Sequence, residues 1–374
     1  MKSPFNFGRT VRNEQFTNRE TELKKLVSNF ENGVNTTIIS PRRWGKSSLV
    51  ERAAGMIRNK SIKVIHIDLF SIRSEEEFYN ALANAVIKCT SSKADEWLAM
   101  AKKFLKTISP KFTVELGDKQ NFNLELDFEA AKKHYKELLN LPEKIAVDKK
   151  LKLIICIDEF QNIAAFNDPL AIQKRLRSVW QQHEHVSYCL YGSKRHMMIE
   201  LFSKPNFPFY RFGEIMFLKK ISVEKWTLYI TKQFQKTGKK ISPELAMQIS
   251  NTVKCHPYFV QQLSHLVWIN TATIADANIV AASTQELIDQ NGILYYQLSE
   301  NLNNTELKLL RAIHAQEKQL SSKDTIAAYR LGTSASVIKA KRTLFEREIL
   351  DDTESNPSFL DPCFELWFAQ NLLT

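Results

Sequence analysis

The run Ser40-Pro41-Arg42-Arg43-Trp44-Gly45-Lys46-Ser47 constrains this chain more than any other stretch. A β-branched segment, Thr36–Ser40 (TTIIS), leads into it, and a helical pattern follows at once. The last three residues fit the G-x-x-x-x-G-K-[ST] phosphate-loop pattern, with Ser40 where the pattern has its first glycine. Between a strand and a helix, such a loop turns backbone N–H groups and a helix N-terminus toward phosphate oxygens. Gly45 lets the backbone approach closely, Lys46 brings a point charge to the β- and γ-phosphates, and Ser47 offers a hydroxyl to Mg²⁺. Ser40 is small but lacks glycine's freedom in φ, a mild departure from the pattern.

Four further runs share the strand character of the first: Lys63–Asp68 (KVIHID), Leu151–Asp158 (LKLIICID), Val186–Tyr191 (VSYCLY) and Glu214–Leu218 (EIMFL). Apolar strands spaced by amphipathic helices predict a parallel sheet covered on both faces. The Leu151–Asp158 run is followed by Glu159, and two acids at a buried strand end are costly without a cation or donor to meet them. The pattern is that of a Walker B strand, with Asp158 on Mg²⁺ and Glu159 orienting or deprotonating the attacking water. The next strand runs into Gly192-Ser193-Lys194-Arg195, where Ser193 is the candidate to sense a γ-phosphate, ahead of Lys194 and Arg195. Arg211 could contact phosphate or make a surface ion pair. No N-K-x-D guanine-selecting run is present, so adenine is the expected base.

The 374 residues fit two or three domains. Residues 1–220 carry the sheet pattern, with an insertion over about 91–150. Before Leu151 the sequence reads as two or three helices and a hairpin, Lys111–Leu116 and Asn121–Asp127 joined by Gly117-Asp118-Lys119-Gln120. Residues 221–297 are patterned as helices. Residues 298–374 read helix, helix, helix and two short strands, the winged-helix variant of helix-turn-helix. There, Asn303-Asn304-Thr305-Glu306 opens the first helix as a capping box, Gly332 ends the second as a C-cap, and 334–347 form the third. Ile349–Asp352 and Ser358–Asp361 flank a turn containing Asn356-Pro357.

Charge is unevenly placed. Residues 194–240 hold eleven Lys/Arg against three acids, whereas 301–374 hold nine against ten. A basic surface in the first stretch suits phosphates, nucleic acid or an acidic partner, and ordinary solvated lysine equally. No run of 18 apolar residues marks a membrane span and the first residues carry no apolar signal core, so a cytoplasmic protein is expected. Five scattered cysteines without a Cys-x-x-Cys pair read as reduced core thiols. His183 and His185, at the end of an amphipathic helix, do not share a helix face and predict no metal site.

Taken together these motifs resemble the archaeal/bacterial ATPase group within the STAND division of AAA-like P-loop NTPases. Phe16-Thr17-Asn18-Arg19-Glu20-Thr21-Glu22-Leu23 looks like that group's F-x-x-R-E-x-E-L opening, which packs near the adenine. Pro41 through Leu49 is similar to G-P-R-R-x-G-K-[ST]-S-L, Asp158-Glu159-Phe160-Gln161 matches D-E-F-Q, and Gly192-Ser193 matches the G-S sensor. Cys255-His256-Pro257-Tyr258 resembles the G-x-P-Y lid motif, whose proline lies against the nucleotide, and Asp361-Pro362-Cys363-Phe364 with Trp367 resembles the D-P-F-F-x-x-W ending. Glycines of the pattern are replaced by Ser40 and Cys255.

The resemblance covers nearly the whole chain. It implies a five-stranded parallel P-loop core of the ASCE/AAA-like kind (1–220), a helical lid (221–297) and a C-terminal winged-helix domain (298–374). The expected protein binds ATP/ADP with Mg²⁺ and hydrolyses ATP slowly, as a nucleotide-controlled switch or assembly module. Pro41, Arg42, Arg43, Trp44, Gly45, Lys46, Ser47, Ser48 and Pro257 would hold the nucleotide, Ser47 and Asp158 the metal, and Glu159, Lys46 and Ser193 would act in catalysis. A homo-oligomer or a protein partner is in keeping with the resemblance. DNA is the less favoured partner of the winged helix, because a module of net charge −1 neutralises phosphates poorly. No membrane partner is expected.

Overall fold

The computed structural model describes residues 2–9, 19–91, 93–105, 113–117, 121–125, 132–351 and 356–373. These fall into two compact units. One spans Arg19–Arg42 and Lys46–Leu218; the other comprises Arg43–Gly45 and the described residues of Met1–Asn18 and Lys219–Thr374.

The first unit is an α/β sandwich. Helix α1 (Glu20–Glu31) precedes β1 (Thr36–Ile39), and α2 (Lys46–Met56) leads to β2 (Ile62–Asp68). Then come α3 (Glu75–Thr90), α4 (Ala94–Leu105), the hairpin β3 (Thr113–Gly117) and β4 (Asn121–Glu125), α5 (Tyr135–Leu139) and α6 (Leu141–Lys149). Strands β5 (Lys152–Asp158), β6 (Val186–Gly192) and β7 (Glu214–Phe217) alternate with α7 (Pro169–Trp180) and α8 (Arg195–Ser203). Strands β1, β2, β5, β6 and β7 form one parallel sheet in the order β2-β5-β6-β1-β7. Every residue of β1 and β6 is buried, as expected of parallel strands covered on both faces. Register pairs Ile39 with Gly192 and Asp68 with Asp158, so the C-terminal ends of β1, β5 and β6 reach the same edge. Ligands of open α/β sheets bind at that edge.

All five expected strands appear, with ends within one residue. The hairpin pairs antiparallel; Lys111, Phe112, Asp118–Gln120, Leu126 and Asp127 lie outside the described residues. Among the described residues, four helices separate β2 from β5, more than the two or three expected. Pro142 in the first turn of α6 is one cause, since proline is tolerated there but cannot continue α5. Helix α7 ends at Trp180, so His183 and His185 follow the helix rather than ending it. His183 bonds Tyr188 Oη (2.9 Å) and Asn140 Oδ1 (3.2 Å), and His185 bonds Glu143 Oε1 (2.7 Å).

The second unit is helical. Its helices are α9 (Val223–Lys236), α10 (Pro243–Thr252), α11 (Pro257–Asn270), α12 (Ala277–Glu300), α13 (Asn304–His314), α14 (Lys323–Tyr329) and α15 (Ser334–Glu346). A two-stranded wing, β8 (Leu350–Asp351) and β9 (Ser358–Phe359), and α16 (Pro362–Leu372) complete it. Asn303 and Glu306 form the capping box. Gly332 is not the cap of α14: the helix ends at Tyr329, and Arg330 takes the left-handed position at φ 52°. Gly332 uses its own positive φ (85°) in the link to α15. Near the N-terminus, Phe5 is buried against Tyr229 and Phe234.

Candidate functional site

Strand β1 delivers a buried Ser40 to the loop. Ser40 does not adopt a positive φ, so serine serves where the pattern has glycine. The left-handed conformation falls on Arg43 (φ 62°) and Gly45 (φ 88°). Lys46 opens α2 and is buried; its ammonium donates to the carbonyls of Ser40 (3.2 Å) and Pro41 (3.0 Å). Pro41 and Ser48 are buried beside it, and Arg42 is exposed with Nε 3.5 Å from Ser193 Oγ. Ser47 donates from Oγ to Asp158 Oδ2 at 2.7 Å, joining the start of α2 to the end of β5.

At that strand end, Asp158 Oδ1 accepts from the Glu159 N–H at 2.8 Å. Burial raises the Asp158 carboxyl above its ordinary pKa, although the Ser47 hydroxyl, the Glu159 N–H and the charge of Lys46 oppose the rise. Glu159 adopts φ 50°, a left-handed backbone in a non-glycine residue. The next residue, Phe160, is buried against Trp180, Phe202 and Phe209 and anchors the turn. Glu159 Oε2 accepts from Ser193 Oγ (2.8 Å), Ser193 N (3.3 Å) and Gln161 Nε2. Burial alone would raise the Glu159 carboxyl, but the bonds from Gln161 and Ser193 and the charge of Lys46 outweigh it and hold the pKa below the ordinary value.

The structure thus gathers Lys46, Ser47, Asp158, Glu159 and Ser193. Sequence reasoning singled out neither Gln161 nor the spatial role of Gly192. A Cβ on Gly192 would sit 1.9 Å from Gln161 Oε1 and 2.8 Å from Met198 Sδ, so glycine here leaves the Gln161 amide in place where any other residue would move it. The only signal was the place of each in the D-E-F-Q and G-S motifs. Leu69 N donates to Asp158 O (3.1 Å) and Asn162 Nδ2 to Leu69 O (3.2 Å), tying the loop after β2 to the same strand end. Lys194 and Arg195 begin α8, and the Arg211 guanidinium lies over its neighbour Tyr210 (5.2 Å). A hydroxyl and two carboxylates beside a buried ammonium supply hard oxygen ligands for a divalent cation and a positive charge for phosphate. That donor set fits Mg²⁺ and a nucleotide's phosphates.

In the other unit, Arg43–Gly45 pack with the first turn of α11. The Arg43 guanidinium lies 4.3 Å from the Tyr258 ring centroid, and the buried Trp44 meets His256 edge-on at 6.3 Å. Pro257 occupies the first turn of α11, where its missing N–H costs nothing. Lys254 (φ 49°) and Cys255 (φ 58°) are successive left-handed residues, so Cys255, unlike Ser40, stands where the backbone demands glycine's freedom. Burial, helped by the charges of Arg43 and Lys220, lowers the His256 pKa to about 3. Phe7 packs on Tyr258 (5.9 Å). Of the opening motif, Phe16–Asn18 lie outside the described residues; Arg19 is buried and paired with Glu22 at 3.3 Å.

Comparison with known proteins agrees with this geometry. The family described as an ATPase domain predominantly from Archaea matches residues 16–245, and a probable winged-helix domain matches 293–370. No protein of curated function matches. Among solved structures, the fold is similar to that of a Walker-type ATPase of Pyrococcus abyssi, at 17% identity and a TM-score of 0.69, covering 98% of this chain and 99% of that one. It is also similar to the ORC2 protein of Aeropyrum pernix, seen in ADPNP–ADP complexes, at 11% identity and a TM-score of 0.54, covering 99% and 100%. The chain is therefore a member of the ATPase-domain family found predominantly in Archaea, with a winged helix at its C-terminal end.

Proposed function

We propose that the protein binds Mg·ATP and hydrolyses it slowly, as a nucleotide-controlled switch of the STAND type. The observation that carries the reading is the convergence of Lys46, Ser47, Asp158, Glu159 and Ser193 at one sheet edge. Lys46 leaves the Ser40 and Pro41 carbonyls for oxygens of the β- and γ-phosphates. Ser47 and Asp158 would hold Mg²⁺, which when bound would neutralise charge on those oxygens. Ser193 donates to the γ-phosphate. Glu159 orients a water whose oxygen attacks the γ-phosphorus; the bond to the β–γ bridging oxygen breaks, ADP departs, and the water's proton passes to the Glu159 carboxylate.

The switch reading rests on the loop itself. Its tip, Arg43–Gly45, is held by Tyr258 and His256, whereas Lys46 is held by Ser40 and Pro41. A phosphate that reorganises the loop acts on both sets of contacts, which is the differential interaction a switch needs. Pro257 and Tyr258, in the region read as a lid (221–297), would respond to the γ-phosphate. Limited proteolysis with ADP and with a non-hydrolysable ATP analogue tests this. Distinct cleavage patterns are expected; identical patterns, with both nucleotides bound, would remove the switch and leave a plain ATPase.

A further inference from the structure

Seven lysines and one acid, Glu224, lie between residues 219 and 240. The helix in the middle of this stretch, α9, buries Trp226, Tyr229, Ile230, Gln233 and Phe234. Its outer side exposes Lys225, Lys232 and Lys236. At 3.6 residues per turn these three fall within roughly 40° of one another, about 10 Å and then about 6 Å apart along the axis. Leu228 stands on the same side, 73% exposed. The row continues into the exposed Lys240, which pairs in parallel with Ile274, itself 63% exposed. Lys239 does not contribute, because its ammonium turns inward to the carbonyls of Trp268 and Thr271. Glu224 and Asp276 lie at the margins, and Asp276 caps α12 through the Ile279 N–H.

We propose that this face of α9, with Lys225, Lys232, Lys236 and Lys240, binds the phosphate backbone of double-stranded DNA without reading its sequence. Lysine is a point charge that neutralises phosphate, and it lacks the planar fork with which arginine reads guanine in register. The stretch contains no arginine. Single strands are gripped by aromatic platforms, yet the aromatic rings of α9 are all buried. An anionic membrane needs an apolar helix face to insert, and here that face is in the core, with Leu228 alone outside. An acidic protein surface suits the row less well, since lysine is depleted from protein interfaces. The winged helix is the weaker candidate, because residues 301–374 sum to −1.

Fluorescence anisotropy of the full chain with a labelled DNA duplex, without nucleotide, tests the proposal independently of the ATPase reading. Binding that weakens steeply between about 50 and 200 mM salt is expected. Joint replacement of Lys225, Lys232 and Lys236 by Gln should lower affinity at least about tenfold and reduce the log–log salt slope by about 3. Joint replacement by Glu should lower affinity further, while Lys339→Gln with Arg342→Gln should leave it near the parent value. A thermal melt and ATP titration certify that each variant is folded; if the Glu variant is not, the Gln variant carries the test. Parental duplex affinity in the lysine variant, loss confined to the winged-helix variant, or tighter binding to single strands, anionic vesicles or polyglutamate would each overturn the proposal.

Discussion

Ser193 donates its hydroxyl hydrogen to Glu159 Oε2 at 2.8 Å, so the proposed γ-phosphate sensor and the proposed acceptor of water's proton are joined by a hydrogen bond. On the function proposed above, a phosphate at Ser193 would compete for that hydrogen and release the carboxylate. After the bond from Gln161, the Ser193 bond is the next largest influence holding the Glu159 carboxyl below its ordinary pKa.

Replacing Glu159 by Gln should therefore keep nucleotide affinity within about threefold and slow ATP hydrolysis by at least about a hundredfold. The Glu159 carboxyl is held below its ordinary pKa, so it should cause no loss of rate between pH 8 and pH 6. Single-turnover assays across that range check both points. Parental turnover in Glu159→Gln would remove the residue from the chemistry.

Gly192→Ala places a methyl group where the Gln161 amide runs. The side chain must move, and Glu159 loses the donor that helps to orient it. Hydrolysis should fall about tenfold, with stability reduced by about 1 kcal/mol, the low end for overpacking because the obstructing atoms belong to flexible side chains. Gln161→Ala, which removes the nearer obstacle and leaves Met198 Sδ, should restore part of the stability in the double variant but not the rate. Additive losses in the two variants would show that the two residues do not interact.

Cys255 is left-handed at φ 58°, so a Cβ there carries strain. Cys255→Gly should be more stable than Cys255→Ala by about 1 kcal/mol, because both lose the thiol and only glycine sheds the strain. Chemical denaturation of the pair decides it; equal stability would mean that the backbone relaxes at no cost.

His256 has a folded pKa of about 3, well below that of an unfolded histidine. The unfolded chain takes up a proton below about pH 6.5 that the folded chain refuses. Stability from this group is therefore intact above about pH 6.5 and lost as pH falls toward 3, by about 2 kcal/mol at pH 5. Denaturant melts at pH 7 and pH 5 should show the parent losing about that much more than His256→Asn. Equal losses would show that His256 is protonated in the folded protein.

The sheet and the core of the site were legible because their signals are contiguous. Buried parallel strands are apolar throughout, Gly45-Lys46-Ser47 lies where the loop after β1 enters α2, and Asp158-Glu159 lies at the end of β5. The crossing of Gln161 over Gly192 and the stacking of Arg43 on Tyr258 were not legible, because residues far apart in sequence create them. Helix α16 went unread as a helix: Pro362, Cys363, Phe364, Glu365, Trp367 and Phe368 are all buried, so no amphipathic period marks it. Cys255 showed in sequence only as a departure from a pattern, and its backbone angle gives that departure a physical meaning.

The central claim is that the loop at Lys46 receives the phosphates of an adenine nucleotide. Isothermal titration of ATP, ADP and GTP with Mg²⁺ into the parent and into Lys46→Ala tests it most directly. ATP and ADP should bind the parent and GTP much more weakly. Lys46→Ala, which removes the ammonium now held by the Ser40 and Pro41 carbonyls, should abolish binding while the protein stays folded. ATP binding of parental strength in folded Lys46→Ala, or no binding to the parent at all, would contradict the account.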